Sequence, residues 1–252
     1  MSPMVPDASP RVADGPSMVF DRVAALDWSS IGAALDTEGY ALAGRLLGDA
    51  ECRELRAAYA AENFFRSRIV MSRHGFGQGE YKYFAYPLPP IVAALRRALY
   101  PRLAEIATRW DNALGGGRQS YPSTHEGFVD QCRAAGQTRP TPLLLSYGRG
   151  DYNCLHRDLY GDLVFPLQVA ILLSRPQRDF SGGEFVLTEQ RPRRQSRAEV
   201  VPILQGEAVI FPVHHRPVSG GRGVYRVAMR HGVSRVRSGR RFTLGIIFHD
   251  AQ

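Results

Sequence analysis

Lysine is nearly missing from this chain. Lys82 is the one lysine, and every other cationic side chain is an arginine set among frequent alanine, glycine and proline. That usage suits a genome rich in G and C, so the net charge of +8 reflects composition before it signals nucleic acid. Cysteine is scarce as well. Cys52, Cys132 and Cys154 are odd in number and form no CxxC pair, which argues against a disulfide framework or a zinc knuckle and fits a reducing compartment. Cys154 reads as a small buried thiol, with a redox-sensitive role as the alternative. No apolar run is long enough to span a bilayer. The first ten residues lack the basic start and apolar stretch of a signal peptide, so a cytoplasmic location without a membrane partner is expected.

What is present is a chain of 252 residues, enough to bury a sizeable core in one domain. Residues 1–20 are rich in Pro, Ala, Asp and Ser without apolar periodicity, and read as a flexible leader before a single domain over 21–252. Asp27 caps a short helix reaching about Asp36, Gly39–Ala43 reads as a strand, and a helix opens at Asp49 and runs to about Ala61. Pro90 begins a long amphipathic helix to about Ala113, with Val92, Leu95, Leu99, Leu103, Ile106 and Trp110 at helical spacing. Gly115-Gly116-Gly117 ends that pattern, residues 118–122 read as a loop, and Ser123-Thr124-His125-Glu126 starts another helix. From Pro142 onward the pattern turns to strands: Leu143–Tyr147, Leu167–Leu173, Glu184–Leu187, Ala208–Phe211, Tyr225–Val233 and Phe242–Phe248.

A spaced constellation occupies this strand-rich part: His156-Arg157-Asp158, then His231, then Arg241. Two imidazoles and one carboxylate are the set that holds non-haem Fe(II) on one face and leaves the opposite positions open. Residues i and i+2 of an extended segment share a side, so His156 and Asp158 converge while Arg157 faces away. His231 must then arrive from a distant strand. Residues 229–248 read as strand, turn at Ser238-Gly239, strand. In the second strand Phe242, Leu244, Ile246 and Phe248 share one face, while Arg241, Thr243 and Gly245 share the other. An arginine buried there needs a carboxylate, and its fork grips a dicarboxylate in bidentate fashion. The expected co-substrate is 2-oxoglutarate.

With those residues stand Tyr147-Gly148-Arg149-Gly150-Asp151-Tyr152, Ser181-Gly182-Gly183-Glu184-Phe185 and Gly206-Glu207-Ala208-Val209-Ile210-Phe211. Over residues 140–252 the chain resembles the 2-oxoglutarate/Fe(II) dioxygenase superfamily, in the style of its prolyl-hydroxylase-like branch. Arg73–Gly77, Gly79–Phe84 and Arg139–Leu143 also look like a bacterial family of such oxygenases expected to act on damaged nucleic acid. The resemblance implies an α+β fold: a double-stranded β-helix, a jelly-roll or cupin-like barrel mainly over 140–252, with N-terminal supporting helices. It implies metal ligands His156, Asp158 and His231, and 2-oxoglutarate held by Arg241 with Tyr147 and Thr243. Fe(II), 2-oxoglutarate and O2 follow as cofactors and co-substrates, with room for ascorbate as a reductant. The substrate stays open between damaged nucleic acid and a peptide or small molecule. A non-catalytic metal or 2-oxoglutarate sensor and a zinc hydrolase are readings from other classes; a binding module has no need for the triad and Arg241 together, and a hydrolase has no use for Arg241.

The remaining candidates carry weaker patterns. His214-His215 rivals His231 as third ligand, but adjacent strand residues point oppositely and no Ser-Gly-x-Arg follows. Either can line the mouth of the site. Asn153 can steer the co-substrate or simply turn the chain. The glycine-rich loop Arg73–Gly79 with its aromatics offers a substrate lid or a base-stacking surface. Arg191–Arg197 reads as a solvated loop, or as a phosphate contact. His74 and His125 read as surface or loop histidines, and His249 has no evident role.

Overall fold

The computed structural model describes residues 15–116, 121–159, 161–221 and 223–252. Its first half is mostly helical: α1 (Gly15–Ala24), α2 (Trp28–Thr37), β1 (Ala41–Arg45), α3 (Asp49–Ala58), β2 (Phe65–Val70), β3 (Gly77–Gln78), β4 (Glu80–Phe84), α4 (Pro90–Ala113) and α5 (His125–Ala134). Strands follow: β5 (Leu143–Tyr147), β6 (Tyr152–His156), β7 (Leu167–Leu172), β8 (Phe180–Gly182), β9 (Phe185–Gln190), β10 (Arg197–Val201), β11 (Glu207–Pro212), β12 (His215–Gly220), β13 (Gly223–Val233), β14 (Val236–Gly239) and β15 (Arg241–Ile246).

Local chemistry sets the helix starts. The Asp27 carboxylate accepts the Ser30 N–H at 3.0 Å, and the Thr124 hydroxyl accepts the Gly127 N–H at 3.2 Å. Both groups take up amide protons that the first helical turn cannot satisfy itself. The apolar stripe of α4, from Val92 through Trp110, is buried as its spacing predicts.

The strands form a seven-stranded sheet in the order β1-β11-β7-β15-β5-β4-β2, and a six-stranded sheet β10-β9-β13-β6-β3 with β12 also paired to β13. A core of α1 and α4 side chains lies on one face of the larger sheet, meeting Leu144, Val169, Ile171, Phe242, Leu244 and Ile246. A second core, with Tyr147, Ala170, Leu172, Phe185, Leu187 and Phe211, fills the space between the sheets. Strands β5, β7 and β15 are therefore covered on both faces, and their side chains alternate between the two cores. This is the double-stranded β-helix with helical support that was expected, but as two facing sheets rather than a closed barrel.

Other expectations change. The strand-turn-strand over 229–248 is not a hairpin: β13 belongs to the smaller sheet and β15 to the larger. Between them β14 pairs with β8, carrying the chain across. Apolar alternation marks a strand and its faces but not its neighbour, so the crossing is invisible in the pattern. Residues 15–20 of the expected leader lie in α1, where Val19 is fully buried. Residues 1–14 and 117–120, which include most of that leader and of the loop expected at 118–122, lie outside the described residues. No helix among the described residues is long and apolar enough to cross a membrane.

Candidate metal centre

Strand pairing brings the first two ligand candidates together. His231 of β13 stands directly opposite His156 of β6, and their rings lie 4.2 Å apart between centroids. β6 ends at His156. Asp158 follows two residues on, just beyond the strand, and faces the same cavity as His156. Its carboxylate oxygens lie 3.4 Å from His156 Nε2 and 3.2 Å from His231 Nε2. One ligand atom from each of the three residues lies within 4.8 Å of the others. Arg157 also lines the cavity, where strict strand alternation would have pointed it away.

The surroundings hold this cluster in a metal-ready state. The Cys154 carbonyl lies 2.8 Å from His156 Nδ1 and accepts that nitrogen's proton in a hydrogen bond, which turns Nε2 toward Asp158. Phe211 packs beside His231 with ring centroids 4.8 Å apart. Burial opposes ionisation of Asp158, but the two imidazoles outweigh it and hold the carboxyl well below its ordinary range. Burial also opposes a charge on His156; the Asp158 carboxylate and the Cys154 carbonyl prevail and raise its pKa. Burial lowers His231, with the neighbouring His156 acting in the same direction.

One cavity of about 180 Å³ contains the cluster. A single water needs only about 10–15 Å³ by that measure, so the space suits a ligand of many atoms. Arg241 lines the cavity with 2% of its surface exposed. Two other arginines are as deeply buried among the described residues, and both are neutralised. Arg96 bonds Asp250 at 2.9 Å together with the carbonyls of Ile247 and Phe248, and Arg216 bonds Glu189 and the carbonyls of Asp36 and Thr37. Arg241 hydrogen-bonds the Thr243 hydroxyl and lies over the rings of Tyr147 and Phe180, but no carboxylate pairs with it and its Nε finds no hydrogen-bond partner. Burial pushes its pKa down to about 10. Tyr147, opposite Arg241 across the β5–β15 pairing, buries its hydroxyl beside the Asn153 side chain, without a carboxylate partner. A carboxylate with further oxygen acceptors would satisfy all three side chains. The residues present thus fit a metal ion at one end of the cavity and an organic acid at the other.

The other sequence candidates sort clearly. His214 and His215 pack against each other at 4.2 Å and do not line the cavity. Burial lowers His214 to about 4, with His215 and Arg157 adding to the effect. Cys154 is exposed, not buried, as is its neighbour Leu155; its contribution to the site is the carbonyl. His125 is also not a surface residue: it is 6% exposed, and its ring bonds the Phe248 carbonyl at 3.0 Å. His249 is buried and accepts the Phe165 N–H at 3.2 Å. Phe76 and Asn153 line the cavity, while residues 192–196 form an exposed turn. Gln168 and Phe211 were missed. Gln168 could have been noticed as one polar residue in an otherwise aliphatic strand.

Comparison with known proteins decides the class. A family model described as an oxygenase catalysing oxidative methylation of damaged DNA matches residues 79–251. The chain belongs to this oxygenase family. Its match spans the histidine pair, Asp158 and Arg241. The uncharacterized protein Rv2227 of Mycobacterium tuberculosis is 49% identical over 169 residues, which cover 67% of this chain and 72% of that protein. The fold is shared with an oxidoreductase of the 2OG-Fe(II) oxygenase family from Burkholderia pseudomallei, at a TM-score of 0.54 and 15% identity over 89% of this chain and 92% of that one. A prolyl hydroxylase of Trichoplax adhaerens, solved with a hypoxia inducible factor peptide, gives a TM-score of 0.52 at 14% identity over 91% of each chain. This chain is accordingly an oxidoreductase, and its fold is the one seen in 2OG-Fe(II) oxygenases and prolyl hydroxylases.

Proposed function

We propose that residues 21–252 form one catalytic domain in which His156, Asp158 and His231 hold Fe(II), Arg241, Tyr147 and Thr243 hold 2-oxoglutarate, and the substrate is an alkylated base of damaged nucleic acid. The observation that carries this reading is the uncompensated Arg241 guanidinium in the same cavity as the His-Asp-His cluster. A buried arginine without a carboxylate is costly to fold, and an anionic ligand offsets that cost when bound.

Iron with 2-oxoglutarate and O2 supplies an oxidant for a C–H bond, with succinate and CO2 as the companion products. The protein's own groups do the positioning. Arg241 takes the far carboxylate of the co-substrate in bidentate fashion, while the Thr243 and Tyr147 hydroxyls complete its hydrogen bonds. The hydrogen bond from His156 to the Cys154 carbonyl fixes the imidazole tautomer. Leu143, Leu145, Val233 and Phe185 line the cavity and keep bulk water from the reacting group. Oxidation of an N-methyl carbon gives an N-hydroxymethyl group that breaks down to the free N–H and formaldehyde. The reaction would therefore remove a methyl group from damaged DNA.

The family's description supports nucleic acid as the substrate class. With Fe(II), 2-oxoglutarate and O2, single-stranded DNA carrying N-methylated bases should release formaldehyde in step with succinate. Succinate formation stimulated by a peptide or small molecule, with none by methylated DNA or RNA, would overturn the substrate assignment.

A further inference from the structure

Gln168 remains unexplained by the metal cluster and the acid-binding end. It is 3% exposed in β7, its Nε2 is buried without a hydrogen-bond partner, and it lines the same cavity. Buried amides are almost always bonded, so an unbonded one at a cavity wall points to a ligand. Its position says which ligand. Gln168 pairs across β7–β11 with Phe211, whose ring packs on His231. The acid end lies elsewhere along β7: Thr243 pairs with Leu172, four residues away, or roughly 13 Å at strand spacing. The carboxamide therefore stands at the metal end, where the primary substrate must enter.

Phe76 supplies a second observation at that end. It lines the cavity while 46% exposed, and its ring stacks on His74 with centroids 5.3 Å apart. Its carbonyl accepts the Cys154 N–H at 2.9 Å, which fastens it beside the strand carrying His156. A carboxamide offers a donor and an acceptor side by side, and a phenyl ring offers a face. Together they match a flat heterocycle with a hydrogen-bonding edge.

We propose that Gln168 and Phe76 form a nucleobase subsite, Gln168 bonding the edge of the base and Phe76 stacking on its face. The inference rests on the nucleic-acid reading above and names the residues that select the base. Gln168 is retained at a cost to the folded state, and binding of the base is what recovers that cost.

The test uses the full chain loaded anaerobically with Mn(II) and 2-oxoglutarate. Fluorescence anisotropy then compares labelled single-stranded DNA containing one N1-methyladenine with the unmodified strand. Wild type should prefer the methylated strand roughly tenfold or more, the size of a good bidentate contact. Gln168→Leu should lose that preference, keep its affinity for the unmodified strand and for 2-oxoglutarate, and melt no lower than wild type. Phe76→Ala changes a half-exposed side chain, leaves the fold intact, and should weaken binding of the methylated strand roughly fivefold or more. Preference retained in Gln168→Leu, or lost together with co-substrate binding and melting temperature, would overturn the subsite. A wild type without salt-dependent affinity for either strand would instead sink the nucleic-acid reading, and the subsite with it.

Discussion

A guanidinium with 2% exposure, a threonine hydroxyl as its hydrogen-bond partner and no paired carboxylate sets Arg241 apart from Arg96 and Arg216, which the fold neutralises. Losing one partner of a buried ion pair costs about 3–5 kcal/mol, whereas replacing an uncompensated charge by an apolar group of similar volume is neutral or stabilising. Arg241→Met should therefore raise the half-saturating 2-oxoglutarate concentration by roughly two orders of magnitude or more without lowering the melting temperature. Calorimetric titration alongside thermal melting checks both halves; a destabilised variant with normal co-substrate binding would make Arg241 structural. Tyr147→Phe and Thr243→Val each remove a single neutral hydrogen bond worth about 0.5–1.5 kcal/mol. Each should weaken co-substrate binding only about two- to tenfold, measured in the same titration. Asp158→Ala should abolish tight Fe(II) binding, because the two imidazoles left behind carry no negative charge; unchanged binding would move the metal elsewhere.

The elements show why some of this was legible and some not. The alternation in β15 separated Phe242, Leu244 and Ile246 from Arg241, Thr243 and Gly245, and the folded strand keeps that division between the helix-facing core and the cavity. Caps and apolar spacing likewise placed α2, α4 and α5. Which sheet each strand joins was not legible, because pairing partners depend on contacts distant in sequence. The turn at Ser238-Gly239 was read from sequence as joining two paired strands, yet it delivers β15 to the opposite sheet. Gly239 makes that delivery possible: its φ is 73°, and an added Cβ would collide with the Asp179 carbonyl oxygen. Left-handed backbone costs a side-chain-bearing residue about 1–2 kcal/mol before the collision is counted. Gly239→Ala should therefore lower the melting temperature by several degrees and also weaken 2-oxoglutarate binding, since Arg241 lies two residues on. Co-substrate affinity unchanged in a destabilised variant would uncouple the turn from the site. Gln168 left a faint signal, one polar residue in an aliphatic strand, but only the fold shows that it faces a cavity.

At the scale of the whole molecule, some of the arginines are internal structure. Arg22, Arg56, Arg96, Arg175 and Arg216 tie distant segments together through carboxylates, and because each such pair cancels, the net charge of +8 belongs to the other cations. The helical half is joined to the sheets through the C-terminal strand exit, where Arg96 and His125 both bond the Phe248 carbonyl. Burial lowers His125 to about 3, the nearby Arg96 charge adding to the effect. Its folded pKa is thus below the unfolded value near 6.5. The unfolded chain takes up a proton first as pH falls, so the stabilisation is complete above about pH 6.5 and is lost progressively toward pH 3. Thermal melts between pH 7.5 and 4.5 should show a falling midpoint, with a shallower fall in His125→Gln; equal slopes would assign the acid sensitivity to other groups.

The central claim is that one cavity joins a metal cluster to an anchor for a dicarboxylate. Anaerobic titration of Fe(II) with 2-oxoglutarate, watching for the weak visible charge-transfer band of the chelate, tests it most directly. The account predicts a saturable band in wild type, loss of the band in Asp158→Ala, and a strong shift to higher concentration in Arg241→Met. No band in wild type at any 2-oxoglutarate concentration, with Fe(II) bound, would contradict it.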